Sequence, residues 1–216
     1  MSIRKVAFVF GEYYHIYNRG NSKQIIFHDN EDYYHFIKLL YLSNTKNNFK
    51  LRNLSSNCFS LKLENKLVAI GSYCLMPNHF HLILTEREEG SISKFMLKLT
   101  TAYSMYYNKK YNRTGSLFEG KFKSQHAGGD RYLKYLFSYI HLNSVKLIQK
   151  DWKENGIRDK KEALDFLSNY KYSSYLDYLG VKRKENLIID KEKFPEYFKD
   201  EGKFQQEIFE WLSYNS

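Results

Sequence analysis

The segment Met76-Pro77-Asn78-His79-Phe80-His81-Leu82-Ile83-Leu84 sets the architecture of the chain, because a turn here leads into an apolar run that carries two histidines. Side chains alternate between the two faces of an extended strand, so His79 and His81 share one face and Phe80 lies on the other. Two neighbouring imidazoles make half of a metal site. An isolated pair is more often two hydrogen-bonded histidines on a half-buried strand, so the choice depends on the rest of the chain.

The elements on either side of this strand follow a definite order. Residues 67–75 are rich in strand formers, and Pro77 and Asn78 supply the turn that makes them a hairpin partner of the histidine strand. Strand-forming residues followed by turn chemistry predict a strand at 13–17, and a further strand is predicted at 117–126. Apolar periodicity predicts helices after Asp29, from Ser91, and from Arg131 to about Leu147. This order predicts an α+β fold, a ferredoxin-like split βαβ antiparallel sheet with helices on one face.

Two segments lie outside this pattern. Residues 44–65 are polar and weakly patterned, which indicates a long loop or an irregular hairpin. Beyond residue 150 the chain becomes mixed and charged, with predicted helices at 162–168 and near 205–214. We therefore expect a main domain over residues 1–150 and a C-terminal helical extension over residues 151–216 that packs on it.

Composition limits the function classes. The 216 residues suffice for one sizeable core, and a net charge of +10 favours a polyanionic partner, with nucleic acid the first choice. Aromatic residues make up 18% of the chain, so rings are available to stack on bases. Cys58 and Cys74 have no C-x-x-C spacing, which argues against a zinc ribbon or a disulfide framework and fits a reducing cytoplasm. No apolar run approaches the roughly 18 residues that span a bilayer, so we expect a cytoplasmic protein with no membrane partner.

A second group of polar residues lies on the helix after Arg131. Tyr139 and Asn143 are four residues apart and project from one helix face. If that face meets His79 and His81, one pocket holds two imidazoles, an amide oxygen and a phenol, a donor set that suits Mg²⁺ or Mn²⁺. A phenol of ordinary pKa, about 10, needs a cationic or metal-rich setting to act as a nucleophile. Lys146 and the basic strand can supply positive charge.

Four blocks of the sequence resemble one known family, the HUH single-tyrosine transposases, and most closely the branch called REP-associated tyrosine transposases. The blocks occur in the family's order: Tyr14-His15-Ile16-Tyr17-Asn18-Arg19-Gly20-Asn21, Tyr73-Cys74-Leu75-Met76-Pro77-Asn78-His79-Phe80-His81, Gly115-Ser116-Leu117-Phe118-Glu119-Gly120-Lys121-Phe122-Lys123, and Tyr139-Ile140-His141-Leu142-Asn143-Ser144-Val145-Lys146.

The resemblance implies a ferredoxin-like fold of the HUH endonuclease type. It also implies that His79 and His81 bind the catalytic metal and that Tyr139 attacks single-stranded DNA, which leaves a 5′-phosphotyrosine and a free 3′-hydroxyl. In related insertion-sequence transposases a glutamine four residues after the tyrosine completes the metal site, and Asn143 takes that place here. The family reads hairpin DNA at palindromic repeats. The match assigns DNA contacts to four residues: Arg19, Asn21, Lys121 and Lys123. We add Lys146 to the predicted DNA-binding residues as a further positive charge.

Several alternatives stay open at the level of sequence. A non-catalytic regulator that binds hairpin nucleic acid fits the same fold, and a replication initiator or relaxase shares the H-x-H chemistry. Tyr103, Tyr106 and Tyr107 are rival nucleophiles, although their helical period explains two of them as core. The leftover histidines His15, His28 and His126 are expected to be structural or exposed. Spacing does not fix whether the protein is a monomer or a homodimer, or whether Tyr139 serves its own chain.

Overall fold

Four strands form one antiparallel sheet in the computed structural model, which describes residues 7–47, 58–198 and 203–213. The strands are β1 (Tyr13–Arg19), β2 (Val68–Met76), β3 (His79–Glu86) and β4 (Lys123–His126), in the spatial order β2-β3-β1-β4. Three long helices connect or follow them: α1 (Asn30–Leu42), α2 (Ser91–Lys110) and α3 (Asp130–Leu142). This order confirms the predicted ferredoxin-like α+β class.

The register of β1 against β3 brings the first sequence block beside the histidine pair. β2 and β3 form the predicted hairpin around Pro77 and Asn78. On the other side of β3, Tyr17 pairs with His81 and Arg19 pairs with His79. The polar end of β1 is therefore held next to the two imidazoles by main-chain pairing.

Helices cover both faces of the sheet, whereas the sequence predicted helices on one face. Phe80, Leu82 and Leu84 lie in a core cluster with α1 and α2. Ile83 belongs to a second core cluster with α3. The physical reason is β2, which is buried along its whole length, so that each face of the sheet needs an apolar layer against it.

A buried carboxylate joins the two helices of the first layer. Asp32 is fully buried and accepts hydrogen bonds from Lys110 Nζ at 2.8 Å and Tyr111 Oη at 2.7 Å. Asp32 also accepts a hydrogen bond from Tyr106 Oη at 3.0 Å and one from the backbone N–H of His28 at 2.8 Å. We call these five residues the Asp32 cluster. Burial raises the pKa of Asp32, and these donors, Lys110 foremost, outweigh burial and hold that pKa below its usual value.

Two predicted elements end differently in the structure. The strand predicted at 117–126 exists only as β4, because Leu117 and Phe118 turn into the core and Gly120 adopts a positive φ of 71°. The helix predicted to reach Leu147 ends at Leu142, and a 3-10 helix, Asn143–Leu147, continues it. Of the loop predicted at 44–65, positions 48–57 lie outside the described residues, and Cys58–Ser60 forms a single 3-10 turn.

The C-terminal segment packs along α3. Four helices are described there: α4 (Trp152–Asn155), α5 (Lys160–Asn169), α6 (Tyr175–Tyr178) and α7 (Phe204–Ser213). Phe204 and Ile208 of α7 are buried in the same cluster as Phe137 and Ile140 of α3. Within the described ranges, no helix has both the length and the apolar character needed to cross a membrane.

Candidate active site

The two histidines of β3 lie on the sheet face that α3 covers. Their ring centroids are 5.0 Å apart and the rings are perpendicular. His81 is buried, whereas His79 is half-buried at the edge of a cleft of about 600 Å³. The alternation of β3 produces this placement, because Phe80 and Leu82 fill the opposite core.

Helix α3 of the same chain brings Tyr139 to this pair. The ring centroid of Tyr139 lies 5.8 Å from that of His81 and 6.2 Å from that of His15. Tyr135 stacks on Tyr139 from the preceding turn, with centroids 6.1 Å apart. One chain therefore contains the histidine pair and the candidate nucleophile in one cleft, without a contribution from a second copy.

Asn143 occupies the first position after α3 and keeps helical dihedral angles, so it remains one turn below Tyr139. The residue is buried, and its Nδ2 has no hydrogen-bond partner among the described residues. Burial lowers the pKa of His79 and raises that of Tyr139, and hydrogen bonding by the Asn143 side chain opposes burial at both groups. All four predicted residues, His79, His81, Tyr139 and Asn143, line the same cleft.

Each histidine of the pair has a partner on its Nδ1 atom. Asn78 Oδ1 lies 2.6 Å from Nδ1 of His79, and His15 Nε2 lies 2.8 Å from Nδ1 of His81. These contacts leave the Nε2 atoms of both rings as the open nitrogen donors. The arrangement is the one that orients metal-binding imidazoles through their second nitrogen.

The imidazoles of the site are neutral at pH 7. Burial, followed by the nearby Lys153 ammonium, lowers the pKa of both His79 and His15 to about 4. Burial and the neighbouring rings His15 and His79 also lower the pKa of His81. A neutral imidazole is the form that binds a metal ion.

His15 is a site residue that sequence reasoning missed. It was expected to be structural or exposed, because spacing along one strand does not relate it to His79 and His81. The residue is buried, and the antiparallel pairing of β1 with β3 places its ring 5.0 Å from the ring of His81. The only signal in the sequence is its position within the first of the four matched blocks, Tyr14-His15-Ile16-Tyr17, which gives no register.

Positive charge surrounds the cleft. Of the predicted DNA contacts, Arg19, Lys123 and Lys146 line it, while Asn21 and Lys121 do not. Two lysines outside the predicted set, Lys23 and Lys153, also line it. None of the lining residues is acidic, so the cleft suits a phosphate group.

The guanidinium of Arg19 is already paired. Its Nε and Nη2 both donate to the carboxylate of Glu119, the second of these bonds at 2.9 Å, which is a bidentate arrangement. Both side chains remain about 40% exposed. A DNA phosphate that binds Arg19 therefore competes with the carboxylate of Glu119 for the guanidinium.

Lys153 makes the closest polar contact to the phenol of Tyr139. Its ammonium donates a hydrogen bond to Tyr139 Oη and lies 4.3 Å from the ring centroid. Burial raises the pKa of Tyr139, and Asn143 and Lys146 lower it in part. Burial also lowers the pKa of Lys153. No sequence signal identified Lys153, because it lies beyond the four matched blocks.

The rival residues have other partners. The hydroxyl groups of Tyr103 and Tyr107 donate to the backbone oxygens of Ile26 and Ile25 at 2.5 and 3.0 Å, and Tyr106 belongs to the Asp32 cluster. All three tyrosines lie with the core on the α1–α2 side of the sheet. Three of the four remaining histidines are hydrogen-bonded: His28 with Tyr107, His126 with Glu12, and His141 with Ser174. The fourth, His35, stacks on Tyr106 with ring centroids 3.7 Å apart.

The cleft offers mixed nitrogen and oxygen donors. The described residues contain no group of three or more His, Cys, Asp or Glu side chains placed to hold a metal. Two imidazole nitrogens and the amide oxygen of Asn143 remain as possible donors; the buried Nδ2 of the same amide, which has no partner among the described residues, is a hydrogen-bond donor and does not bind a metal. Such a site supplies few protein ligands and leaves positions open for phosphate oxygens.

Comparison with known proteins identifies the family. Residues 31–143, more than half of the chain, match the family described as "Transposase IS200 like". A solved structure described as "Structure of the REP associates tyrosine transposase bound to a REP hairpin" is 12% identical, with 86% of this chain and 90% of that chain covered and a TM-score of 0.49. No curated protein sequence matches the chain. The chain belongs to the IS200-like transposase family.

Proposed function

We propose that this transposase is a metal-dependent single-stranded DNA endonuclease and strand transferase that cleaves and rejoins DNA at hairpin sites through a 5′-phosphotyrosine intermediate. One observation supports this proposal above the others. Tyr139 of the same chain lies with His79, His81 and Asn143 in a cleft lined by cations and by no acidic residue. Binding of nucleic acid alone requires the cations and not this combination of phenol, imidazoles and amide.

The side chains divide into binding and reacting groups. Arg19, Lys123 and Lys146 hold the DNA backbone across the cleft. Tyr139 Oη attacks the scissile phosphorus, a bond from that oxygen to phosphorus forms, and the bond from phosphorus to the 3′-oxygen breaks. The 3′-oxygen takes a proton, and the phosphodiester energy is retained for rejoining. Asn21 and Lys121, outside the cleft, contact the hairpin beyond the reacting strand.

The proposed cofactor is Mg²⁺ or Mn²⁺. His79 and His81 would hold it through their Nε2 atoms, with the amide oxygen of Asn143 as a third donor. When bound, such an ion polarises the scissile phosphate and orients it. His15 and Asn78 fix the orientation of the two imidazoles from behind.

The proposal extends to substrate, location and organisation. Hairpin or single-stranded DNA is the substrate, the enzyme works in the cytoplasm, and a single chain supplies the whole site whether the protein is a monomer or a homodimer. We retain the division into a nuclease domain, 1–150, and an extension, 151–216. The extension contributes Lys153 to the cleft and Trp152 beside it.

The test is the formation of a covalent protein–DNA adduct on a hairpin oligonucleotide with a single-stranded flank and Mn²⁺. We expect the label to travel with the protein when it is on the 3′ fragment and not when it is on the 5′ fragment. Tyr139→Phe should abolish the adduct and retain hairpin binding. Tyr135→Phe is the matched control, because it removes the neighbouring stacked hydroxyl and should still form the adduct.

Three outcomes contradict the proposal. An adduct that persists in Tyr139→Phe eliminates this residue as the nucleophile. A label that follows the 5′ fragment reverses the polarity of the reaction. Salt-sensitive hairpin binding without cleavage in Mg²⁺ or Mn²⁺ would identify the protein as a non-catalytic hairpin-binding regulator.

A further inference from the structure

Lys153 projects from the short helix α4 into the cleft that holds Tyr139. Its ammonium donates a hydrogen bond to Tyr139 Oη and lies 4.3 Å from the centroid of the phenol ring. The lysine therefore contacts the oxygen that has to attack the phosphate. This contact joins the C-terminal extension to the reacting atom of the main domain.

Packing fixes the segment that carries Lys153. Trp152, the adjacent residue, is 4% exposed and lies in the core cluster of α3, with its ring centroid 6.3 Å from that of Tyr139. Asp151, the residue before Trp152, accepts a hydrogen bond from Arg158 at 2.7 Å and one from Asn155 at 2.9 Å, both of which follow Lys153 in the chain. The lysine stem thus leaves a short segment that is held by a buried tryptophan before it and by these hydrogen bonds across it.

The other cations of the cleft are placed differently. Arg19 is paired with Glu119 through two hydrogen bonds. Lys146 influences the phenol through its charge, whereas Lys153 has a hydrogen bond to it. A distributed phosphate-binding surface does not require this direct contact, because backbone phosphates are attracted by charge at longer range.

This contact deepens the proposed function and rests on it: we propose that Lys153 is the positioning residue of the tyrosine nucleophile. It holds Tyr139 Oη in place and stabilises the negative charge on that oxygen when the bond to phosphorus forms. The phenol proton leaves to solvent, the 3′-oxygen departs with the electron pair of its broken bond and takes a proton, and Lys153 keeps its own. In rejoining, the same ammonium stabilises Tyr139 Oη as the leaving group.

The experiment separates positioning from DNA binding. Single-turnover adduct formation is measured at saturating hairpin oligonucleotide with Mn²⁺, and Kd is measured separately by fluorescence anisotropy. Removal of one preorganised donor to a charged oxygen costs about 100-fold in rate, so Lys153→Met should lower the saturated rate by about that factor. Its Kd should rise by no more than about fivefold, the effect of one cation. Lys153→Arg should recover most of the rate, because a guanidinium can donate to the same oxygen.

Two further lysines serve as comparisons. Lys150→Met removes an exposed charge three residues away, outside the cleft, and should change neither quantity. Lys146→Met removes a cleft cation and should raise Kd more than it lowers the saturated rate. Thermal unfolding of each variant establishes that the fold is retained.

Each result has a distinct meaning. An unchanged saturated rate in Lys153→Met overturns the inference, and so does a loss of affinity alone, which would make Lys153 a phosphate contact. If Lys153→Arg is as slow as Lys153→Met with native stability, stabilisation of the oxygen by a cationic donor is refuted. Absence of any adduct in the unmodified protein overturns the proposed function and, with it, the role of Lys153.

Discussion

The hydrogen bond between His15 and His81 provides a sharp test of the proposed metal site. His15 Nε2 and His81 Nδ1 are 2.8 Å apart, and both residues are buried, with exposed fractions of 6% and 7%. The change His15→Phe removes the polar partner. It keeps a ring of similar size in the stack, whose centroids are 5.0 Å apart at an angle of 24°.

We expect His15→Phe to lower the affinity of the site for a metal ion. Removal of an outer-shell partner of a metal-binding histidine costs about 10–100-fold, which corresponds to about 1.4–2.7 kcal/mol. The burial of His81 places the effect toward the upper end, because water cannot replace the lost partner on Nδ1.

The assay is calorimetric titration of the DNA-free protein with Mn²⁺. We expect His15→Phe to bind about 10–100-fold more weakly than the unmodified protein and His79→Ala to lose specific binding. His126→Phe is the matched control, because His126 is an exposed histidine whose ring pairs with Glu12 on the edge of the sheet. Unchanged affinity in His15→Phe would refute the orienting role of this hydrogen bond. Unchanged affinity in His79→Ala would refute the site itself.

Two further predictions concern charge. Glu119→Gln should release the guanidinium of Arg19 from its carboxylate partner, so that hairpin DNA binds more tightly. The slope of the logarithm of the DNA association constant against the logarithm of the salt concentration should steepen by about one. An unchanged slope would show that Arg19 does not reach phosphate. Asp32→Asn should lower the free energy of unfolding at pH 7 by about 2 kcal/mol, because hydrogen bonds to a buried charge are lost. Since the pKa of Asp32 is held below its unfolded value of about 3.8, its stabilisation is complete above that pH and lost as pH falls through the folded pKa. Urea unfolding of both proteins should therefore show the difference narrowing below about pH 4, and a constant difference would contradict this assignment.

Local sequence pattern was sufficient for most of the elements. The cap residue Asp29 and the apolar period after it predicted α1, and the side chain of Asp29 accepts from the backbone N–H of Asp32 at 3.0 Å as such a cap does. Pro77 and Asn78 located the hairpin turn, since turn chemistry depends on the residues that form it. The strand predicted at 117–126 was mostly wrong, because Leu117 and Phe118 contribute to the core from a loop. Periodicity detects which residues are apolar and cannot tell a strand from a loop that inserts its side chains.

Helix and strand geometry also predicted which side chains share a face. His79 and His81 lie together because a strand alternates, and Tyr139 lies above Asn143 because a helix repeats near four residues. These relations hold within one element and need no knowledge of its neighbours. The sequence could therefore specify the two halves of the candidate site with their residues.

The meeting of those halves depended on packing over long sequence distances. The register of β1 against β3 paired His15 with the histidine strand, and the burial of β2 on both faces required the layer that brings α3 over the sheet. Lys153 reaches Tyr139 because Trp152 is buried beside α3. Main-chain pairing and core burial between distant segments produce no periodic pattern in the sequence. The roles of His15 beside His81 and of Lys153 at the phenol of Tyr139 could therefore be identified only from the tertiary structure.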